Sequence, residues 1–207
     1  MVKQFLVVGL AICSFNSMAE TALNQSTFGT AKNQSVGTEA SNYQSKIKGF
    51  EYLIKALEIL AKKGRDFKLL VFGANQIKHS SEILENRIIN LGSIVNEELL
   101  PIIYSSADIT VVPSLEEVFG LICLESISCG TPVVGFDNTG IEEIVKNNIS
   151  GLLARKGDFN HLSEQIDFLI LNDNIKNRLS ISGQEYVKKH LNIDFVINRH
   201  VNFYRNL

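Results

Sequence analysis

The chain has little that would tie it to a nucleic acid, a disulfide framework or a metal. Twenty Lys and Arg against 22 Asp and Glu give a net charge of −2. That is no basic footprint, and no nucleic-acid partner is expected. Cys13, Cys123 and Cys129 are odd in number and show no C-x-x-C spacing, so neither a disulfide scaffold nor a structural zinc site is signalled. His79, His161, His190 and His200 form no H-x-H or H-x-x-x-H pair. No metal and no other cofactor is expected. Beyond residue 20 no apolar run is long enough to span a bilayer, and the chain carries no internal repeat.

What remains is ordinary globular material. The 207 residues are 45% hydrophobic and 20% charged, enough for one domain with a full core, or one domain and an appendage. Cys123 and Cys129 lie in an apolar stretch and read as small core residues. The N-terminus differs from the rest. Residues 1–20, MVKQFLVVGLAICSFNSMAE, place Lys3 before an apolar run from Phe5 to Phe15, followed by Ser17-Met18-Ala19. This reads equally as a secretory signal or foreign leader covering 1–19 and as a buried first strand followed by a loop. Residues 20–45, rich in Ser, Thr, Asn, Gln and Gly, read as an irregular lead-in or linker.

From Lys46 onward helical and strand patterns alternate, and 46–207 is expected to form the main domain. Gly49 to Lys63 carries apolar residues at helical spacing and stops at Gly64. Lys68–Phe72, Ile88–Leu91, Ile109–Val112, Pro132–Phe136 and Gly151–Ala154 are short apolar runs bounded by Gly or Pro, which suits buried strands. Helices are expected at Glu97–Ser106, Phe119–Cys129, Asp158–Leu171, Asn174–His190 and Asp194–Tyr204. The alternation predicts an α/β fold, a parallel sheet covered on both faces. Such sheets bind ligands outside the carboxyl ends of their strands, which directs attention to the loops after residues 73, 92, 113 and 136.

The loop Pro113 to Gly120 leads from a strand directly into a helix, where unpaired N–H groups favour a phosphate. Glu117 and Glu125 stand eight residues apart. On a continuous helix that spacing is an advance of about 12 Å and a rotation to within about 80°, so the two carboxylates share one side. Paired carboxylate acceptors suit sugar hydroxyls.

The segment EVFGLICLESISCGTPVVGFDNTGIEEIV resembles the E-x7-E region of family 4 type, GT-B glycosyltransferases. The likeness runs from about Val36 to the C-terminus. It takes in LVFGAN at 70–75, INLGSI at 89–94, YSSADITVVPS at 104–114, GIEEIV followed by GLLA, and KIKGFEYLIKALEIL at 46–60. So many fixed offsets in one order make it specific. The resemblance implies a Rossmann-like three-layer α/β/α sandwich, one half of a GT-B fold, that binds the donor sugar nucleotide.

Carried over by position, it implies catalytic roles for Lys48 on the donor diphosphate and Glu117 on hydroxyls of the donor sugar. It implies donor contacts from Val118, Phe119, Gly120 and Leu121 at the helix start, Glu125 on the ribose, and Gly92 bordering the base pocket. Family members often place an arginine in a V-G-R-L turn shortly before the lysine. Here the corresponding region reads VGTEASNYQSKIKG, with Val36-Gly37-Thr38 as the turn and Lys46 as the available cation. Lysine lacks the bidentate fork of arginine. The implied substrates are a UDP- or GDP-sugar and a glycan or lipid-linked acceptor, in retaining transfer for cell-surface polysaccharide such as capsule or lipopolysaccharide. Too few residues precede Lys46 for an acceptor half, so a separate acceptor-binding domain is an expected partner. A truncated, non-catalytic nucleotide-sugar-binding module is the alternative. Sugar nucleotides place the chain in the cytoplasm, at the inner face of the membrane, whereas a working signal at 1–19 would export it.

Overall fold

A computed structural model describes residues 4–9 (backbone only), 46–73, 77, 79–96, 98–192, 197, 201, 202 and 205. Its strands are β1 Gln4–Gly9, β2 Phe67–Phe72, β3 Ile88–Gly92, β4 Ile109–Val112, β5 Val133–Phe136 and β6 Gly151–Ala154. Its helices are α1 Phe50–Lys62, α2 Leu99–Ser105, α3 Leu121–Ser128, α4 Phe159–Leu171 and α5 Asp173–His190. The strands form one sheet in the order β3-β2-β1-β4-β5-β6, with every pairing parallel. This is a doubly wound sheet whose strand order reverses between β1 and β4.

Alternation along the strands divides two cores. Phe67, Leu69 and Val71 of β2, Ile109 and Val111 of β4, and Val134 and Phe136 of β5 pack with α1 and α4. Phe72, Val112 and Val133 point the other way, into a second core with Tyr104 of α2 and Ile122, Cys123 and Ile127 of α3. Period-two side-chain direction is the reason one short run can feed both layers. α5 closes the second layer over α3.

The elements expected between Lys46 and His190 are present within a residue or two, the start of α3 among them. That helix begins at Leu121, after Gly120, and leaves Phe119 in the preceding loop. The helix expected at Asp194–Tyr204 lies mostly outside the described residues; 197, 201 and 202 are helical. The sheet reaches back to Gln4, well ahead of the boundary expected at Lys46. β1 pairs along its whole length with β2 (Gln4 with Phe67 through Gly9 with Phe72) and on its other side with Ile109 and Thr110 of β4. Within that N-terminal run, residues 4–9 form a strand. Ala19, the expected lead-in at 20–45 and the turn expected at Val36-Gly37 lie outside the described residues.

Candidate functional site

The carboxyl ends of β4, β5 and β6 open onto a cavity of about 570 Å³. It is lined by Ile47 and Lys48, by Leu115 to Val118, by Asn138 to Gly140 with Glu142, and by Lys156. Each group comes from a loop that follows a strand, or from the turn that leads into α1. Two close backbone contacts hold these loops together. The Leu115 N–H donates to the Ile47 carbonyl at 2.7 Å, fastening the 3-10 turn Lys46–Lys48 to the loop after β4. Gly49, at φ 67°, makes this possible, since a Cβ there would stand 1.8 Å from the Pro113 carbonyl oxygen. On the other side the Gly140 N–H donates to the Glu117 carbonyl at 2.7 Å. A Cβ on Gly140 would lie 2.2 Å from the carbonyl oxygens of both Glu117 and Val118.

This clamping brings Lys48 and Glu117, 69 residues apart, into an ion pair with Nζ 3.2 Å from Oε2. Both side chains are about one-fifth exposed, at 22% and 21%, so the pair is half-sheltered at the cavity wall. The opposite wall is a rigid turn. The Asp137 carboxylate accepts the Lys156 N–H at 2.8 Å and the Asn138 side-chain amide at 3.1 Å. Glu142 accepts the Asn138 backbone N–H at 2.7 Å. The lining mixes lysines, carboxylates, amide and hydroxyl, a surface able to take both phosphate and sugar hydroxyl groups.

Of the expected site residues, the cavity gathers Lys48, Glu117 and Val118. Lys46 is exposed on the 3-10 turn and does not line it. Phe119 and Gly120 lie in the loop between Val118 and α3, and Leu121 opens that helix. Glu117 therefore stands four residues before the helix, and the advance of a continuous helix does not describe its separation from Glu125. Glu125 lies in the middle turns of α3, where its Oε2 accepts from the Tyr104 hydroxyl at 2.9 Å. Gly92 ends β3 with φ 69°, and its carbonyl accepts from the Gly73 N–H at 2.9 Å. Neither Gly92 nor Glu125 lines this cavity. Both glutamates nonetheless act on one sulfur. Burial first, then the charges of Glu117 and Glu125, push the Cys123 thiol far up, so it is a core group and not a nucleophile. Asn138, Thr139 and Gly140 lie in the loop after residue 136 to which the sequence directs attention, whereas Glu142 and Lys156 were not anticipated as lining residues. The Thr139-Gly140 pair just after an apolar strand was the available signal.

A doubly wound parallel sheet with a polar cavity on the loops beyond its carboxyl ends is a Rossmann-like α/β/α domain, here the half-molecule of a GT-B glycosyltransferase. The chain belongs to the glycosyl transferases group 1 family, whose model matches residues 39–186. An uncharacterised glycosyltransferase of Methanocaldococcus jannaschii is 27% identical over 164 residues, covering 76% of this chain and 42% of its own length. A capsular polysaccharide biosynthesis glycosyltransferase of Staphylococcus aureus, CapM, is 28% identical over 149 residues, covering 69% and 39%. Among solved structures, Anabaena Alr3699/HepE in complex with UDP superposes with a TM-score of 0.70 at 18% identity, over 99% of this chain and 50% of that one. The chain thus spans about two-fifths of the curated relatives named here. No described helix is long and apolar enough to cross a membrane.

Proposed function

We propose that this chain is the donor-binding half of a retaining glycosyltransferase that takes a sugar from UDP- or GDP-sugar. The reading rests chiefly on the Lys48–Glu117 pair, held at the mouth of the cavity by loops from two distant parts of the chain. Lys48 would leave Glu117 for the diphosphate and offset charge that builds on the leaving group. The N-terminal end of α3, with its positive end of the helix dipole, would add to that field. Glu117, released from the lysine, would accept from hydroxyls of the donor sugar. Asn138, Thr139 and Glu142 would complete the sugar's surroundings. No carboxylate has to act as nucleophile, since the leaving phosphate can take the proton of an acceptor hydroxyl on the same face.

The acceptor we infer is a glycan or lipid-linked glycan of the cell surface. The printed role of the Staphylococcus aureus relative supports this. The setting is the cytoplasm, where sugar nucleotides are made. A second reading, a binding module that acts with a separate acceptor domain, is favoured by the apolar side chains left open beside the cavity. Val118 is 93% exposed and Phe119 40%.

Titration calorimetry of the full chain with UDP and GDP, paired with a donor hydrolysis assay, tests the proposal. Micromolar binding of one nucleotide is expected. Lys48→Ala should weaken it roughly tenfold to a hundredfold, the worth of about 1.5–3 kcal/mol for a charge-assisted contact. No binding of either nucleotide would overturn the donor site. Binding without turnover on any acceptor would decide for the non-catalytic module.

A further inference from the structure

We infer that Asp137 is a positioning residue that fixes the cavity wall facing the donor sugar and so governs which sugar is taken, an inference that rests on the donor-site reading above. β5 ends at the buried Phe136, and the Asp137 N–H carries the ladder one rung further, donating to the Ala154 carbonyl of β6 at 2.8 Å. The carboxylate reaches past that rung. Its Oδ1 accepts the backbone N–H of Lys156 at 2.8 Å and the side-chain amide of Asn138 at 3.1 Å. Asn138 and Lys156 both line the cavity, on loops that follow different strands. One oxygen thus sets the place of two lining residues.

The same wall has further ties. Asn138 stands at φ 53°, a left-handed conformation that residues with a side chain adopt rarely. Its N–H donates to Glu142 Oε1 at 2.7 Å, and the Gly140 N–H donates to the Glu117 carbonyl at 2.7 Å. Beyond β6 two neighbouring cations divide their tasks. Arg155 gives its guanidinium to Asp158, at 2.8 and 3.1 Å, and its N–H to His161 Nδ1 at 3.0 Å, on the side of α4. Lys156 gives its N–H to Asp137 and lines the cavity. Epimeric sugars differ only in the direction of a hydroxyl, so a wall that tells them apart needs donors and acceptors held at set places. The bland alternative is an aspartate that only closes its own turn. Lys156, 19 residues away, is no part of that turn.

The two differ in what they do to sugar discrimination. UDP-glucose, UDP-galactose, UDP-N-acetylglucosamine, GDP-mannose and GDP-fucose are titrated beside UDP and GDP into wild type, Asp137→Ala, Asp137→Asn and Asn138→Gly, with melting followed in parallel. On its preferred nucleotide, wild type should separate the sugars by about tenfold or more. Asp137→Ala should narrow that spread about threefold to tenfold, the range of one hydrogen bond, and leave the bare nucleotide within about twofold. Asp137→Asn keeps an acceptor oxygen at the same place and should keep the spread. Asn138→Gly, at an exposed position where glycine suits φ 53°, should narrow it in part. A spread that survives in both Asp137→Ala and Asn138→Gly would overturn the positioning role, however far the proteins' melting falls. Equal losses on sugar nucleotides and bare nucleotide would do the same, as would an Asp137→Asn protein that behaves like Asp137→Ala. A wild type that binds nucleotide without preference among sugars would overturn the sugar-facing wall and leave the nucleotide site standing. If wild type binds none of these ligands, the donor site itself falls and the positioning role with it.

Discussion

The two ends of the sheet handle charge in opposite ways. At the amino end, just before β2 and β4, charges are closed off by partners. Asp167 of α4, with its side chain 12% exposed, takes two bonds from Arg65, at 2.5 and 3.2 Å, and one from Lys63 at 3.2 Å. Lys176 of α5, 11% exposed, is held between Asp108 at 2.8 Å and Asp173 at 3.0 Å. At the carboxyl end Lys48 meets, among the described residues, the carboxylate of Glu117 beside a cavity of about 570 Å³. A charge enclosed by several partners has its interactions completed by the fold. A lone pair at the wall of an open cavity can exchange partners with a ligand. The difference teaches where to expect stability and where to expect binding from the same kinds of residue.

The largest effect should come from removing what joins the two ends. β1 is the central strand, paired on both sides. Deleting residues 1–19 takes it out and leaves β2 and β4 with unpaired inner edges. The loss should exceed the entire stability of a domain, about 5–15 kcal/mol. The truncated chain should show no cooperative thermal transition by circular dichroism. A sharp transition in the shortened protein would break the claim that one sheet carries both sites.

Next in size is a charge at the closed end. Asp167→Ala strands Arg65 and Lys63 and should cost about 1–3 kcal/mol, the range for charged hydrogen bonds, discounted because Lys63 is 44% exposed. Nucleotide affinity of the folded protein should stay within about twofold, since Asp167 lines none of the cavity. Urea titration and calorimetry on the same sample check both halves. A fall in affinity with no loss of stability would reverse the contrast.

How far the sequence disclosed this arrangement depended on how local each signal was. Lys68–Phe72 and Ile109–Val112 were legible because a short β-branched or apolar run stops at Gly or Pro, and nothing distant is needed to read it. QFLVVG was ambiguous because the apolar run Phe5–Phe15 fits an export signal as well as a strand. Its partners in β2 and β4 lie far along the chain, and pairing is invisible in the segment itself. Lys48 and Glu117 were each picked out by motif, but their contact depends on the Leu115–Ile47 bond and the Gly49 approach to Pro113, which no pattern within either segment encodes. The start of α3 was read two residues early because apolar content continues through Phe119, while the chain turns at Gly120. Tyr104 lay inside the YSSAD stretch, yet its link to Glu125 crosses between two helices.

The smallest effect, and the sharpest for the comparison, is in pH. Burial alone would raise the Asp167 carboxyl, but the bonds and charges of Arg65 and Lys63 outweigh it and hold it below the usual value. A lowered folded value means the contribution is fully present above the unfolded value, about 3.9, and is lost as pH falls through the folded one. Lys176 is the mirror case. Burial would lower its ammonium, yet Asp108 and Asp173 prevail and raise it. Its contribution is complete below about 10.4 and is lost as pH rises through the folded value. The stability gap between wild type and Asp167→Ala should therefore be flat through neutral pH and narrow below about pH 4. The gap for Lys176→Met should narrow only above about pH 10.4. Chemical denaturation across the two ranges measures both. If the Asp167 gap narrowed instead between pH 6 and 8, its carboxylate would be titrating far above the range its partners dictate, and the closed end would not be closed.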